Sequence, residues 1–185
     1  MKKLRDAKSE NLVDTAVIPL IDYINSLRNF YTTSSCSGRI SVFCNLITKL
    51  DSFAIKKWHR KVTFDEVMDV INSTINSCSC SGSVWIRQEP SIFHIVSKDL
   101  VGAAKILDIA LNSGYKYSGL QVLKEGRYLV EVLSTERVDA PIVKNGELIV
   151  SGDYIKLLTD ISCEKFEKSR EKLEKFEEEV RMNLK

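Results

Sequence analysis

Apolar positions at helical spacing open the patterned part of the chain. Val17, Leu20 or Ile21, Ile24 and Leu27 form one stripe and predict a helix over about 14–29, behind a polar, charged lead-in at residues 1–11. Pro19 lacks an amide hydrogen and moves the expected start a few residues on. From Thr32 to Gly38 the chain holds seven small or hydroxyl-bearing residues, which predict a polar turn rather than a regular element. A strand beginning near Arg39 follows across Ile40 to Cys44, with 53–58 as its hairpin partner. Thr63-Phe64-Asp65-Glu66 reads as a capping box for a helix carrying Phe64, Val67, Met68, Ile71 and Ile75. Cys78-Ser79-Cys80-Ser81-Gly82 reads as a hinge, and a two-strand stretch over 83–88 and 92–97 is broken at Glu89-Pro90. Asp99 starts a helix through Leu100, Ala103, Ala104, Leu107 and Leu111 that stops at Asn112-Ser113-Gly114. Strands over 116–123 and 127–134 then meet at Glu125-Gly126. Ser151 caps a last, long helix, with Ile155, Leu158 and Ile161 inward and a narrow stripe of Phe166, Leu173, Phe176 and Val180 further on.

These elements predict an α+β fold, a mixed sheet with packed helices and a long C-terminal helix. Residues 1–150 read as a single domain of two similar halves, about 12–80 and 81–150, with 151–185 as a helix packed on it. Each half offers paired strands, a helix and a polar Ser-Gly turn, Ser37-Gly38 and Ser118-Gly119, which points to an internal duplication. Glu167 and Glu171 with Lys168, Lys172 and Lys175 give the last helix an exposed charged face. A short coiled coil with a partner is the other reading, and it has two or three imperfect heptads behind it.

Composition narrows the class. The chain has 185 residues, 44% hydrophobic and 28% charged, enough for one domain or two small halves around a shared core. A net charge of +2 means that nucleic-acid binding would need a local basic face rather than a global field. Five cysteines, an odd number, without a secretory signal predict reduced thiols and a cytoplasmic protein. No apolar run approaches the length of a membrane span.

Candidate chemistry centres on Tyr31 to Phe43, YTTSSCSGRISVF. Exposed amides, hydroxyls, a thiol and the Arg39 guanidinium suit a phosphate or carboxylate; the plainer reading is a Ser-rich loop with one buried cysteine. Neither a Gly-rich dinucleotide turn nor a Walker motif is present, and Cys78 with Cys80 has no second pair at zinc-ribbon spacing, so no metal is expected. His94 lies on the same strand face as Ile92 and Val96, where a histidine is more often a core residue. His59 sits among Lys56, Lys57, Arg60 and Lys61, and with Trp58 these cations make the best local patch for RNA; the plainer reading is a solvated strand end.

The stretches TTSSCSGRISVF, WIRQEPSIFHIV, the YKYSG turn and STERVDAPI, in this order, resemble the tRNA wybutosine-synthesising methyltransferase family, the enzymes of the third step, which archaea carry as a stand-alone chain. The likeness runs from about Lys8 into the C-terminal helix, and it departs at Trp58-His59, where many members have Ser-His. The resemblance implies transfer of a methyl group from S-adenosylmethionine to N-4 of a tricyclic guanosine beside the anticodon of phenylalanine tRNA. It makes His59 the catalytic candidate, since its unperturbed pKa suits proton uptake. Substrate and cofactor would be held by Ser35, Cys36, Ser37, Gly38, Arg39, Trp58, Glu89, His94, Ser118 and Gly119, and RNA by Lys56, Lys57 and Arg60. Arg39 is the bidentate anion donor, and Glu89 suits the cofactor's ammonium or ribose hydroxyls. Two other classes stay open at this point. One is a thiol hydrolase or acyl-transfer enzyme using Cys36 with His59 or His94 and Glu89; the other is a non-catalytic RNA-binding module. Oligomeric state and the particular wyosine derivative stay open.

Overall fold

A computed structural model describes residues 14–46, 48 and 50–185; the expected lead-in at 1–11 lies outside them. In chain order the elements are a 3-10 turn at Thr15–Val17, α1 at Ile18–Ser26, β1 at Phe30–Cys36, β2 at Arg39–Asn45, β3 at Phe53–Trp58 and α2 at Phe64–Asn76. They continue with β4 at Ser83–Glu89, β5 at Ile92–Ser97, α3 at Leu100–Asn112, β6 at Gly119–Lys124 and β7 at Arg127–Leu133. β8 at Val138–Lys144, β9 at Glu147–Leu148 and α4 at Gly152–Asn183 complete them. The α+β class and the long C-terminal helix are as expected. The expected mixed sheet resolves into two sheets in which every recorded strand pair is antiparallel.

Two compact units share the chain, and neither is a sequential half. One comprises the residues up to Ser37 with Pro90–Thr135 and Ser169–Lys185; the other comprises Gly38–Glu89 and Glu136–Lys168. In the first unit the sheet order is β1-β5-β7-β6. Its core joins Leu20, Ile24, Phe93, Val130, Ile106 and Phe176, all fully buried. Burial of each such side chain is worth about 1.5–3 kcal/mol. Asp99 caps α3 by accepting the Gly102 amide at 2.6 Å. Pro19 falls in the first turn of α1, where a missing amide costs nothing, which shortens the expected helix at its start.

In the second unit the order is β3-β2-β4-β8-β9, and Val42, Ile86, Ile71, Ile142, Ile155 and Phe166 join in a separate core. The capping box is present in full: Thr63 Oγ1 accepts the Glu66 amide at 3.3 Å, and Glu66 Oε2 accepts the Thr63 amide at 3.0 Å. Ser151 caps α4 by accepting the Tyr154 amide at 3.2 Å. That helix gives Ile155, Leu158 and Phe166 to this core, and its later residues Leu173, Phe176 and Val180 to the core of the first unit.

Several expectations are corrected. Thr32 to Cys36 is not a turn but most of an edge strand, β1, paired with β5 on either side of an irregularity between Thr32 and Ser34, and only Ser37-Gly38 turns. Polar side chains fit there because an edge strand of this kind exposes much of its surface. The strands over 83–88 and 92–97 do not pair with each other: β4 lies between β2 and β8, β5 between β1 and β7. Nor are all thiols reduced, since Cys44 and Cys80 form a disulfide 36 residues apart in sequence. The segment expected to act as a hinge is therefore tied down, and Gly82 packs so close to the Asn45 carbonyl that no Cβ would fit.

Candidate functional site

The turn at Ser37-Gly38 is built for an anion, and in the first unit the chain provides one. Ser37 is fully buried, its amide donates to Asp14 Oδ2 at 3.2 Å, and its hydroxyl donates to the same oxygen. Asp14 also accepts the Ala16 amide at 3.1 Å, capping the 3-10 turn. Of the donors expected to cradle an anion, Ser37 spends both of its own on a carboxylate of this chain. Ser35 lies opposite Phe93 in the β1–β5 ladder, and half-buried Cys36 opposite Ile92. Gly38 takes a φ of 94°, a left-handed conformation that glycine adopts freely, and redirects the chain into β2.

In the second unit, His59 follows directly on β3, and its Nδ1 lies 3.0 Å from the Gly38 carbonyl. A carbonyl only accepts, so Nδ1 carries a proton. Arg39 and Glu89 face each other across β2 and β4, with Arg39 Nε donating to Glu89 Oε2 at 2.5 Å and both side chains about one-third exposed (33% and 32%). Lys56 and Lys57 are exposed on the edge strand β3. Arg60 is engaged with Glu66 through two nitrogens, at 3.1 and 2.6 Å. This contact raises the Arg60 pKa and, together with the Thr63 amide, holds the Glu66 carboxyl down at about 2. Lys61 pairs with Glu167 at 2.5 Å, which raises its pKa as well. Trp58 departs from expectation. It is 7% exposed and belongs to the core, because its ring packs inward beside Ile40 in the neighbouring strand, so it offers no surface for stacking on a base.

The first unit holds an arrangement that sequence reasoning missed. His94 shares a face with Ile92 and Val96, as expected, but it is half-buried and polar in its contacts rather than a core residue. Its Nε2 donates to Glu131 Oε2 at 2.9 Å, and its Nδ1 shares a hydrogen bond with Ser34 Oγ at 3.0 Å. Gln121 donates to the other Glu131 oxygen at 3.1 Å, so the chain of bonds crosses β1, β5, β7 and β6. Only the strand register reveals it, since Ser34 lies opposite His94 and His94 opposite Glu131. Ser118 and Gly119 are set apart from this row in role: the Ser118 hydroxyl accepts the Leu133 amide at 3.1 Å, and Gly119 begins β6.

A protein-family model described as Methyltransferase TYW3 matches residues 1–182. The chain belongs to this family. Among TYW3 relatives, the tRNA(Phe) 7-((3-amino-3-carboxypropyl)-4-demethylwyosine(37)-N(4))-methyltransferase of Thermococcus sibiricus is 37% identical, over 97% of this chain and 90% of its own length. The enzyme of the same name from Methanocaldococcus jannaschii is 35% identical, over 92% of this chain and 88% of its own. The solved structure of the PH1069 protein from Pyrococcus horikoshii superposes with a TM-score of 0.88 at 34% identity, covering 97% of this chain and 91% of that one. TYW3 membership makes the chain a methyltransferase and removes support from the thiol-hydrolase and binding-module readings. The side chains agree, since His94, one base proposed for Cys36, is engaged by Ser34 and Glu131.

Proposed function

We propose that this protein transfers the methyl group of S-adenosylmethionine to N-4 of the wyosine-type tricyclic guanosine beside the anticodon of phenylalanine tRNA. The observation that carries the reading is the family match over residues 1–182, with relatives at 37% and 35% identity whose names specify N(4) methylation of that base in tRNA(Phe). The cofactor supplies an electrophilic methyl group on a sulfonium. The Arg39–Glu89 pair fits its amino-acid end, because a partly exposed guanidinium and carboxylate side by side complement a carboxylate and an ammonium. His59 takes up the proton that N-4 gives up on methylation. The Gly38 carbonyl holds the ring in the tautomer with its basic lone pair on Nε2, as a proton acceptor requires. Lys56 and Lys57 attract the RNA backbone from an exposed strand edge. His94, with Ser34 and Glu131, offers a polar row suited to the heteroatoms of a substrate ring.

The test is incubation with labelled S-adenosylmethionine and tRNA from a strain lacking this activity, followed by nucleoside mass analysis. The expected result is one methyl gained on the tricyclic base and none on tRNA that lacks it. Binding of both partners without any transfer would overturn the reading.

A further inference from the structure

On the outer face of the second unit's sheet, Phe43, Trp85 and Arg87 form a cluster that nothing in the proposed chemistry uses. Along β2, Arg39, Ser41 and Phe43 alternate with the core residues Ile40, Val42 and Cys44. Along β4, Trp85, Arg87 and Glu89 alternate with Val84 and Ile86 of the same core. The register sets Phe43 beside Trp85, Ser41 beside Arg87, and Arg87 beside Asp139 of β8. Arg87 Cζ stands 3.9 Å from the centre of the Phe43 ring and 5.7 Å from that of Trp85, while Arg87 Nε faces Asp139 Oδ1 at 2.9 Å. Trp85 is oriented by its own indole nitrogen, which donates to Ser83 Oγ at 2.7 Å.

Three features mark this face as a binding surface rather than as packing. Both rings are half-buried, so each keeps some surface exposed. Ser41 is 1% exposed, yet its hydroxyl has no hydrogen-bond partner among the described residues, a deficit that a native fold seldom carries without use. The charged side chains along the face, Arg39, Lys57, Arg87 and Arg137 against Glu89 and Asp139, are cationic on balance. Flat aromatic and guanidinium surfaces on a sheet, with excess positive charge at the margins, are the combination that receives unpaired nucleotides.

We infer that the Phe43–Arg87–Trp85 cluster is a stacking platform for an unpaired base of the RNA substrate, with Ser41 completing its hydrogen bonding to that base and Lys57 and Arg137 beside the flanking phosphates. This assignment rests on the tRNA reading above for the class of ligand. It moves the stacking role from Trp58, which is buried, to Trp85, which is not.

The chain has two tryptophans, so Trp58→Phe leaves Trp85 as a single reporter. Titration of that protein with an unmodified anticodon-arm RNA hairpin is expected to quench the Trp85 emission in a saturable way. A fully paired RNA of equal length should bind without that quench. Trp85→Leu and Arg87→Ala should each weaken hairpin binding about tenfold, within the range for loss of one stacked base. Trp85→Phe, which keeps an aromatic face, should restore most of the affinity, separating loss of stacking from misfolding. Hairpin binding with unchanged Trp85 emission, or unaltered affinity in folded Trp85→Leu, overturns the platform. Methyl transfer is assayed separately on the modified tRNA. Quenching without methyl transfer would leave the platform standing and sink the catalytic reading; transfer without quenching would do the reverse.

Discussion

Asp14 and Ser37 show how one carboxylate can settle a loop. The buried Ser37 amide and hydroxyl both donate to it, and Ala16 donates to its other oxygen. Asp14→Asn keeps the shape but removes the charge, and Asn offers a single acceptor oxygen for these donors. Chemical denaturation should show a loss of about 1.5–3 kcal/mol, the range for hydrogen bonds to a charged group; a loss under about 0.5 kcal/mol would mean that the contact is incidental. At Arg39 the expected cost lies in activity instead. Arg39→Lys keeps the charge but loses the planar fork that meets Glu89 and would meet an anionic ligand. Steady-state kinetics should record a drop in kcat/KM equivalent to about 1–3 kcal/mol, with little change in unfolding midpoint. His59→Ala should lower kcat by about 10²–10⁴, the usual share of a proton-transfer group, while cofactor affinity holds; a loss below tenfold would remove His59 as the proton acceptor.

At the scale of elements, helices were legible and strands only in part. The α2 helix could be read because its capping box is a local pattern, Thr63 with Glu66, and that pattern carries a pH signature. The Glu66 carboxyl is held at about 2 against an ordinary 4.5, chiefly by Arg60. A depressed folded-state pKa adds stability above the unfolded value and loses it as pH falls through the folded one. The helix start should therefore loosen between about pH 4.5 and 2. Amide exchange at Glu66 and Val67 should report this, and Glu66→Gln should remove the dependence. Thr63→Ala should cost about 1 kcal/mol. β1 was hidden because TTSSC has the composition of a turn, and its pairing with β5 is a fact about residues 56 or more positions away. β8 was hidden by Pro141, which a sheet accepts here beside the irregularity between Val84 and Trp85. The His94 row and the Arg87 cluster were invisible for the same reason: each residue is ordinary alone, and only register assembles them.

On the scale of the whole molecule, the Cys44–Cys80 disulfide acts on one unit and not the other. It closes a loop of 36 residues that starts at the end of β2 and holds β3 and α2, for which chain entropy alone gives about 3–4 kcal/mol. Reduction, or Cys44→Ala with Cys80→Ala, should raise deuterium uptake along β2, β4 and α2 while β5 and β7 keep their protection. Equal loosening in both sets of strands would mean that the two cores unfold as one. The spacing of the cysteines does not disclose this pairing, because Cys44 falls at the end of an expected strand and Cys80 inside an expected hinge.

The passage of α4 from one core to the other bears on how the protein is made. Val17 and Leu184 belong to a single buried cluster, and Ile40 shares another with Phe166. A ribosome releases the chain from its N-terminus, and a domain folds during synthesis only when all its packing partners have emerged. Here the first unit waits for the final helical turns and the second for the middle of the same helix. A nascent chain that stops at residue 150 lacks part of both cores, although all nine strands and three of the four helices among the described residues have already been made. Burial is therefore completed only with the last thirty-odd residues: a messenger truncated before the middle of α4 would yield a chain with two open cores, and one truncated later a chain that lacks the helix's share of the first core alone.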